Sequence, residues 1–215
     1  MHLPDGFLAP PVWGTLDALA VATLGVCVVR ARRSLPEEAV PRMGMLGAFV
    51  FAAQMVNVPV AAGTSGHLLG GVLVASMVGP AAATLVMASV FLIQCLLFQD
   101  GGILALGANV VNMGLSGTIG GYLLMRALLR LFPPRWRDAA VFIAAWFTVV
   151  GSSALVSLQL ALSGTVPLVP SLVAMVSVHA IIGLVEGGIT VAVVRFVERV
   201  RPEVLETTPL RREAA

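Results

Sequence analysis

The chain has 215 residues, is 58% hydrophobic and only 11% charged, and has a mean hydropathy of +0.97. Soluble domains are about 45–50% apolar and about a quarter charged, so the composition reads as a helical integral membrane protein with no residues left for a separate soluble domain. All thirteen basic residues are Arg, the net charge is only +2, and that balance gives no ground for nucleic-acid binding.

The chain opens MHLPDGFLAP, a short polar turn carrying one of three histidines, with no basic residue before Arg30. A cleavable signal peptide needs a basic start and a short apolar run. The terminus is therefore expected to be mature, with Met1 kept. Apolar runs then separate at Pro, Gly and Arg clusters. They predict spans over about 12–30, 42–60, 67–79, 80–98, 104–130, 138–162 and 171–197. The third is short and ends at Gly79-Pro80, where the proline starts the next helix. The stretch 59–66, PVAAGTSG, is too rich in Gly and small polar residues for a lipid-facing helix. It is expected as a loop held inside the protein, since irregular backbone is not tolerated against lipid.

Seven spans place the termini on opposite sides. Arg30, Arg32, Arg33 and Arg42 flank the first connection, Arg126, Arg130, Arg135 and Arg137 the 130–138 connection, and Arg195, Arg199, Arg201, Arg211 and Arg212 the C-terminal end. Under this topology every Arg falls on one face, which the positive-inside rule makes cytoplasmic, with the N-terminus outside. A six-span alternative, reading 67–98 as one helix, scatters the arginines over both faces. The fold expected is an all-α membrane protein of seven transmembrane helices. Residues 1–201 are expected to form a single transmembrane domain and 202–215 a polar cytoplasmic tail. Cys27 and Cys95 lie in apolar runs near opposite faces and read as small packing residues.

The histidines are His2, His67 and His179. Each alone reads more readily as a hydrogen-bonded packing residue than as a ligand. The terminus changes that balance for His2. A free α-amine has a pKa of ~7.7–8.0 and can bind a metal once neutral. With His at position two, the Met1 amine, the His2 backbone nitrogen and His2 Nδ1 can close two fused, nearly coplanar chelate rings. A second imidazole, such as His67, can fill the fourth corner. Square-planar nitrogen donors favour Ni(II) or Cu(II) over Zn(II). Pro4 and Gly6 then serve as the bend that returns the terminus to the loop. The bland alternative is a frayed terminus with a chance histidine.

Glu186 is the only acid deep in the last span and lies seven residues after His179, on the same helix face. Intramembrane acids are expensive and face the bundle interior. Glu186 either fixes helix packing or supports a ligand or a path. Asn109, Asn112 and Ser116, with Gln54 and Asn57, are polar within apolar runs. They are candidates for helix-to-helix hydrogen bonds or for orienting a ligating imidazole; Thr64 and Ser65 in the loop join the second group. GTSGHLLGG lacks the Lys-Ser/Thr of a phosphate loop, so the chain is not expected to hydrolyse ATP itself, and nothing arranges a nucleophile beside a base.

MHLPDGFLAPPVW, FVFAAQMVNVPVAAGTSGHLLGG, LLFQDGGILALGANVVNMG and HAIIGLVEGGIT resemble, in that order and over nearly the whole chain, the cobalt/nickel uptake family CbiM/NikM. That family is the substrate-binding membrane component (S component) of energy-coupling-factor (ECF) transporters. The resemblance implies Ni(II) or Co(II) as transported substrate, held by the Met1 amine, the His2 backbone and side chain, and the His67 side chain. It implies a transmembrane coupling (T) protein, two cytoplasmic ABC ATPases and a small auxiliary membrane subunit as partners, and a prokaryotic plasma (inner) membrane as location. GTSGHLLGG resembles the nickel-type members; the cobalt-type loop has a Cys-Ser-His-Pro pattern. The expectation is a metal-capture subunit without organic cofactor or enzymatic activity. The rival is a stand-alone secondary permease with Glu186 and His179 as a proton relay.

Overall fold

The computed structural model describes residues 1–60 and 64–205; the middle of the 59–66 loop and the tail from 206 lie outside the described residues. Helix α1 (Pro10–Ser34) begins with two prolines, whose missing N–H groups are not needed in a first turn, and ends with Arg32 and Arg33 at the negative end of its dipole. Helix α2 (Ala39–Met55) follows after a short connection. It stops short of the expected residue 60 because Val58–Pro59 leaves the helical path and pairs antiparallel with Ser65–Gly66 (Val58↔Gly66, Pro59↔Ser65).

The expected third span also begins late. His67–Gly70 is irregular, and helix α3 (Gly71–Phe98) starts only after Gly70, whose φ of 80° excludes it from a right-handed helix. The expected break is present: at Gly79 (φ 76°, ψ 162°) two helices meet. Their contacts show that the chain turns back there. Residues 71 to 76 descend along the next helical rod, with Gly71 against Gly117, Val72 against Gly121 and Ser76 Oγ 3.7 Å from Met125 Sδ. After Pro80 the order inverts: Thr84 Oγ1 lies 2.6 Å from Thr118 Oγ1, and Met87 and Phe91 flank Gly114. The descending arm of about eight residues reaches only ~12 Å and is buried on every side.

The rod it follows consists of α4 (Leu106–Asn109), a π-helical stretch Val110–Gly120 and α5 (Gly121–Leu131). A Cβ on Gly71 would stand 2.6 Å from the Gly117 carbonyl carbon, so the two backbones touch directly, as small residues allow in membrane helices. Helices α6 (Arg137–Leu162) and α7 (Leu168–Val200) form an antiparallel pair. Gly183 and Gly187 receive Trp146 and Phe142, and Trp146 Nε1 donates to Ala180 O at 3.0 Å. Asn112 and Gln159 exchange two amide hydrogen bonds of 2.7 and 2.6 Å between the π-helical stretch and α6. This reciprocal pair satisfies both amides away from water. Cys27 and Cys95 are free and buried.

Among the described residues four helices, Pro10–Ser34, Gly71–Phe98, Pro134–Leu162 and Leu168–Val200, are long and apolar enough to cross a membrane by length and composition. Large apolar side chains such as Val21, Leu97, Phe147 and Ile181 are exposed around the bundle. One end of the bundle collects arginines: Arg42 donates to Val204 O at 3.2 Å, Arg137 pairs with Glu198 at 2.5 Å and Arg195 pairs with Asp138. Here the start of the expected polar tail is packed, with Leu205 only 1% exposed after a short turn at Pro202–Val204.

The N-terminal segment enters the other end of the bundle. Met1 and Leu3 are fully buried. Asn109 clamps the Leu3 backbone, accepting from its N–H at 2.8 Å and donating to its carbonyl at 3.1 Å; Gly102 N–H donates to the same carbonyl at 2.9 Å. The Asp5 carboxylate accepts from the N–H groups of Ile103, Leu104 and Ala105 at 3.1, 2.8 and 3.3 Å, next to the start of α4. A Cβ on Gly102 would lie 2.1 Å from Asp5 Oδ1 and 2.3 Å from Asp5 N. Gly102→Ala must therefore expel Asp5 from this nest. It is expected to destabilise the protein by about 1–3 kcal/mol, the cost of stranded hydrogen-bonding groups. Thermal unfolding in detergent measures it, and an unchanged midpoint would show that the terminus is not anchored there.

Candidate metal site

The clamps on Leu3 and Asp5 leave residues 1 and 2 projecting into the bundle. The Met1 amine donates to Ser65 O, and its nitrogen lies 3.2 Å from Ser65 Oγ. This joins the terminus to the loop that carries His67. The His2 and His67 rings stack with centroids 4.7 Å apart and planes 22° from parallel, and Phe91 closes one side of His2 edge-on at 5.5 Å. His2 is 4% and His67 1% exposed, so neither nitrogen set is served by bulk water.

The tautomer of His67 follows from its neighbour. Its Nδ1 lies 2.8 Å from Leu68 O, a carbonyl that can only accept, so Nδ1 carries the proton and Nε2 carries the lone pair. That Nε2 is buried without a hydrogen-bond partner, as are both ring nitrogens of His2. Buried polar atoms are nearly always partnered, so nitrogens on two stacked rings that no hydrogen bond occupies make this a candidate site for an electrophile. The Asp100 carboxylate stands beside them, its Oδ2 3.3 Å from His2 Nδ1.

Electrostatics keep the donors unprotonated. Burial pulls the Met1 amine down to about 5, against the opposing pull of Asp100. Burial, then the adjacent amine, pulls His2 down to about 3, with the Gln94 side chain acting the other way. Burial, followed by the amine and His2, holds His67 well below the usual imidazole range. Burial raises the Asp100 carboxyl, and the amine lowers it. At neutral pH the nitrogens are free to coordinate.

The remaining sequence candidates take different places. Ser65 touches the amine, and Asn109 positions Leu3 rather than a ring. Thr64 is buried, its hydroxyl 3.1 Å from Met175 Sδ. His179 sits beneath Gly66, where a Cβ would come within 3.4 Å of His179 Cε1, and its Nδ1 bonds Met175 O at 2.7 Å. Glu186 accepts from Leu69 N at 2.5 Å and Gly70 N at 2.9 Å, so both of its oxygens hold the irregular stretch that presents His67. Gln54 completes that hold: it donates to Leu69 O at 2.9 Å and accepts from Gln94 at 3.0 Å. Asn112 is engaged with Gln159, away from the terminus. Asn57 is exposed beyond the end of α2 and is not brought to the site. Sequence reading passed over Asp100, Gln94 and Asp5. Their signal was present in the LLFQDGG motif and in the first turn, but each looks like an ordinary loop or helix-end polar residue until the chain is folded.

Among the described residues no three His, Cys, Asp or Glu side chains converge as a conventional metal cluster. What the structure brings together instead is two imidazole rings and the chain terminus, a set that side chains alone do not reveal. A helical bundle with an apolar exterior, and histidines buried against the chain terminus at one end, is the architecture of an integral membrane protein. The comparisons make the class specific. The chain matches, over residues 2–204, the family described as cobalt uptake substrate-specific transmembrane region, and it belongs to that family. It is 40% identical, over 96% of its length and 68% of the relative's, to a protein of Archaeoglobus fulgidus named as a fused nickel transport protein NikMN. It is 33% identical to the cobalt transport protein CbiM of Sorangium cellulosum, over 96% of its own length and 95% of that protein's. A crystal structure of a truncated transition metal transporter superposes with a TM-score of 0.86 at 32% identity, covering 93% of this chain and 99% of that one. The protein is thus a multi-pass metal-uptake membrane component, and it is not an enzyme.

Proposed function

We propose that this chain is the substrate-capturing S component of an ECF-type importer for Ni(II), held by the Met1 amine, the His2 backbone nitrogen, His2 Nδ1 and His67 Nε2. The observation that carries this reading is the buried terminus lying against the stacked His2 and His67 rings, with His67 Nε2 engaged by no hydrogen bond. Charge supports it. Binding a divalent ion deprotonates the His2 amide, and the resulting anion together with the Asp100 carboxylate offsets the ion's two positive charges. That balance is what burial of an ion requires. Four nitrogens in one plane suit a d⁸ ion, which favours Ni(II) over Co(II) as the cargo.

In this reading the chain crosses the membrane seven times. The reversal at Gly79 makes 71–78 a descending arm shielded from lipid and 80–98 an ascending span, so the two termini lie on opposite sides. The positive-inside rule then puts the arginine-bearing end in the cytoplasm and the metal site outside the plasma (inner) membrane. A coupling protein and two ABC ATPases supply the energy, with a small auxiliary membrane subunit assisting. The relatives named as fused proteins support such an assembly: one is named as a fused cobalt transport protein CbiMQ. Glu186 and His179 hold backbone in place, which is a task other than the proton relay a secondary permease would need.

Proteoliposomes test the assignment. The chain alone is expected to bind Ni(II) tightly without accumulating it, and accumulation is expected only with the coupling protein, the ATPases and ATP. Proton-driven accumulation by the chain alone would establish the permease instead. A yellow, square-planar Ni(II) absorption band in the untagged protein is the accompanying spectroscopic result.

A further inference from the structure

The arginine-bearing end holds a feature that metal capture does not use. At the opposite end α1 and the α4 rod are in direct contact: a Cβ on Gly107 would stand 2.4 Å from Asp17 Cα, and Gly107 N–H donates to Asp17 at 2.8 Å. Toward the arginines the two elements part. They leave a cavity of about 850 Å³ between α1, the Gly79 reversal of α3, and α5. That is within the size range of small-molecule sites, roughly 300–1,000 Å³.

The cavity has two chemically distinct parts. Its floor is apolar, with Val78, Ala82 and Ile119 among its residues, and it opens sideways past Val26 and Leu123, which are 50% and 59% exposed. Its rim carries Arg30 and Arg33 from α1 and Arg126 from α5. The spacing of three puts Arg30 and Arg33 on one helix face. Arg126 lies over the Tyr122 ring at 5.7 Å, and its Nε is buried with no partner. None of the residues lining the cavity is acidic, and the ion pairs at this end of the bundle engage Arg137, Arg195 and Arg201 instead. The lining hydroxyls of Thr23 and Ser34 are spent on their own helix, donating to Leu19 O and Arg30 O.

Three guanidinium groups that have no carboxylate partner among the described residues form a receptor for an oxyanion, and Arg matches phosphate in particular. A free ion has no use for the apolar floor or the lateral opening; an amphiphile uses both. We propose that this cavity binds the phosphate headgroup of an anionic phospholipid, with Arg30, Arg33 and Arg126 on the phosphate and the glycerol and upper acyl chains along the apolar floor. Basic pockets between membrane helices on the cytoplasmic side bind anionic lipids by this logic.

The test uses the full-length protein in mild detergent and follows its thermal unfolding. Phosphatidylglycerol is expected to raise the midpoint by several degrees, whereas phosphatidylcholine and sodium phosphate at equal concentration leave it in place. The R30Q/R33Q variant changes only exposed side chains and so keeps its fold. It is expected to bind phosphatidylglycerol at least about tenfold more weakly, given the ~1 kcal/mol that each basic residue contributes at an anionic surface. R30Q/R33Q/R126Q is expected to lose the shift altogether, while R135Q/R199Q, which neutralises arginines outside the cavity, keeps it. The proposal is overturned if phosphatidylcholine stabilises as well, if sodium phosphate alone reproduces the shift, if the triple variant retains it, or if R135Q/R199Q loses as much as R30Q/R33Q.

Discussion

Placing one residue ahead of Met1 is expected to weaken Ni(II) binding by more than about 100-fold, because losing even an outer partner of a metal ligand costs 10–100-fold. The extension converts the amine into an amide, whose delocalised nitrogen lone pair binds a metal only if a second backbone proton is lost. It also has nowhere to go, since Met1 is fully buried and its nitrogen already touches Ser65. Isothermal titration of the native and extended proteins measures the loss. Protease removal of the extension, regenerating Met1 as the terminus, is expected to restore binding. Equal affinity in the extended protein would remove the terminal amine from the donor set. The thermal midpoint separates this result from unfolding, because the anchors at Leu3 and Asp5 lie beyond the altered residue.

His67→Ala is expected to have an effect of the same order. The variant removes one donor nitrogen and the stacking partner of His2. The backbone that carries the residue stays pinned by Glu186, through Leu69 and Gly70, and by Gln54, through Leu69 O. The variant should therefore stay folded and monodisperse while its metal content, measured on protein purified in the presence of Ni(II), falls to background. The square-planar absorption band should vanish with it. Full retention of nickel in a folded His67→Ala protein would show that the fourth donor lies elsewhere.

These two experiments also separate capture from the lipid site. Neither Met1 nor His67 lines the cavity between α1 and α5. The phosphatidylglycerol shift should persist in both variants, and Ni(II) binding should persist in R30Q/R33Q.

The positions of the helices were readable to within a few residues because each is written as an apolar run bounded by Pro, Gly or Arg. The Gly79-Pro80 break was readable for the same reason: a proline can open a helix, and a glycine can take the φ that ends one. The places where the expected spans ran long were residues 56–60 and 67–70. Both are apolar enough for helix. Composition could not show that Val58–Pro59 pairs with Ser65–Gly66, nor that Glu186, over a hundred residues downstream, takes the Leu69 and Gly70 N–H groups out of the helical pattern.

For the proposed site, the first two residues could be singled out from the sequence because the chemistry of an amine, an adjacent amide and an imidazole at position two is local and independent of fold, and His67 entered as a second imidazole on the same expected side. What surrounds them was not local. Asp100 as the nearby charge, Gln94 beside His2, and Asp5 and Asn109 as the anchors of the terminus depend on contacts across about a hundred residues of chain. Asn57, adjacent to the loop in sequence, points to nothing in the site for the same reason. The sequence alone thus determined the class of solvent, the apolar runs and a possible terminal chelate, all properties of short segments. Only the tertiary structure decided that the terminus and the two histidines proposed to form that chelate are buried together, with His67 Nε2 free of any hydrogen bond, and that a cationic cavity opens at the far end, since burial and the desolvation it brings exist only once distant segments have packed together.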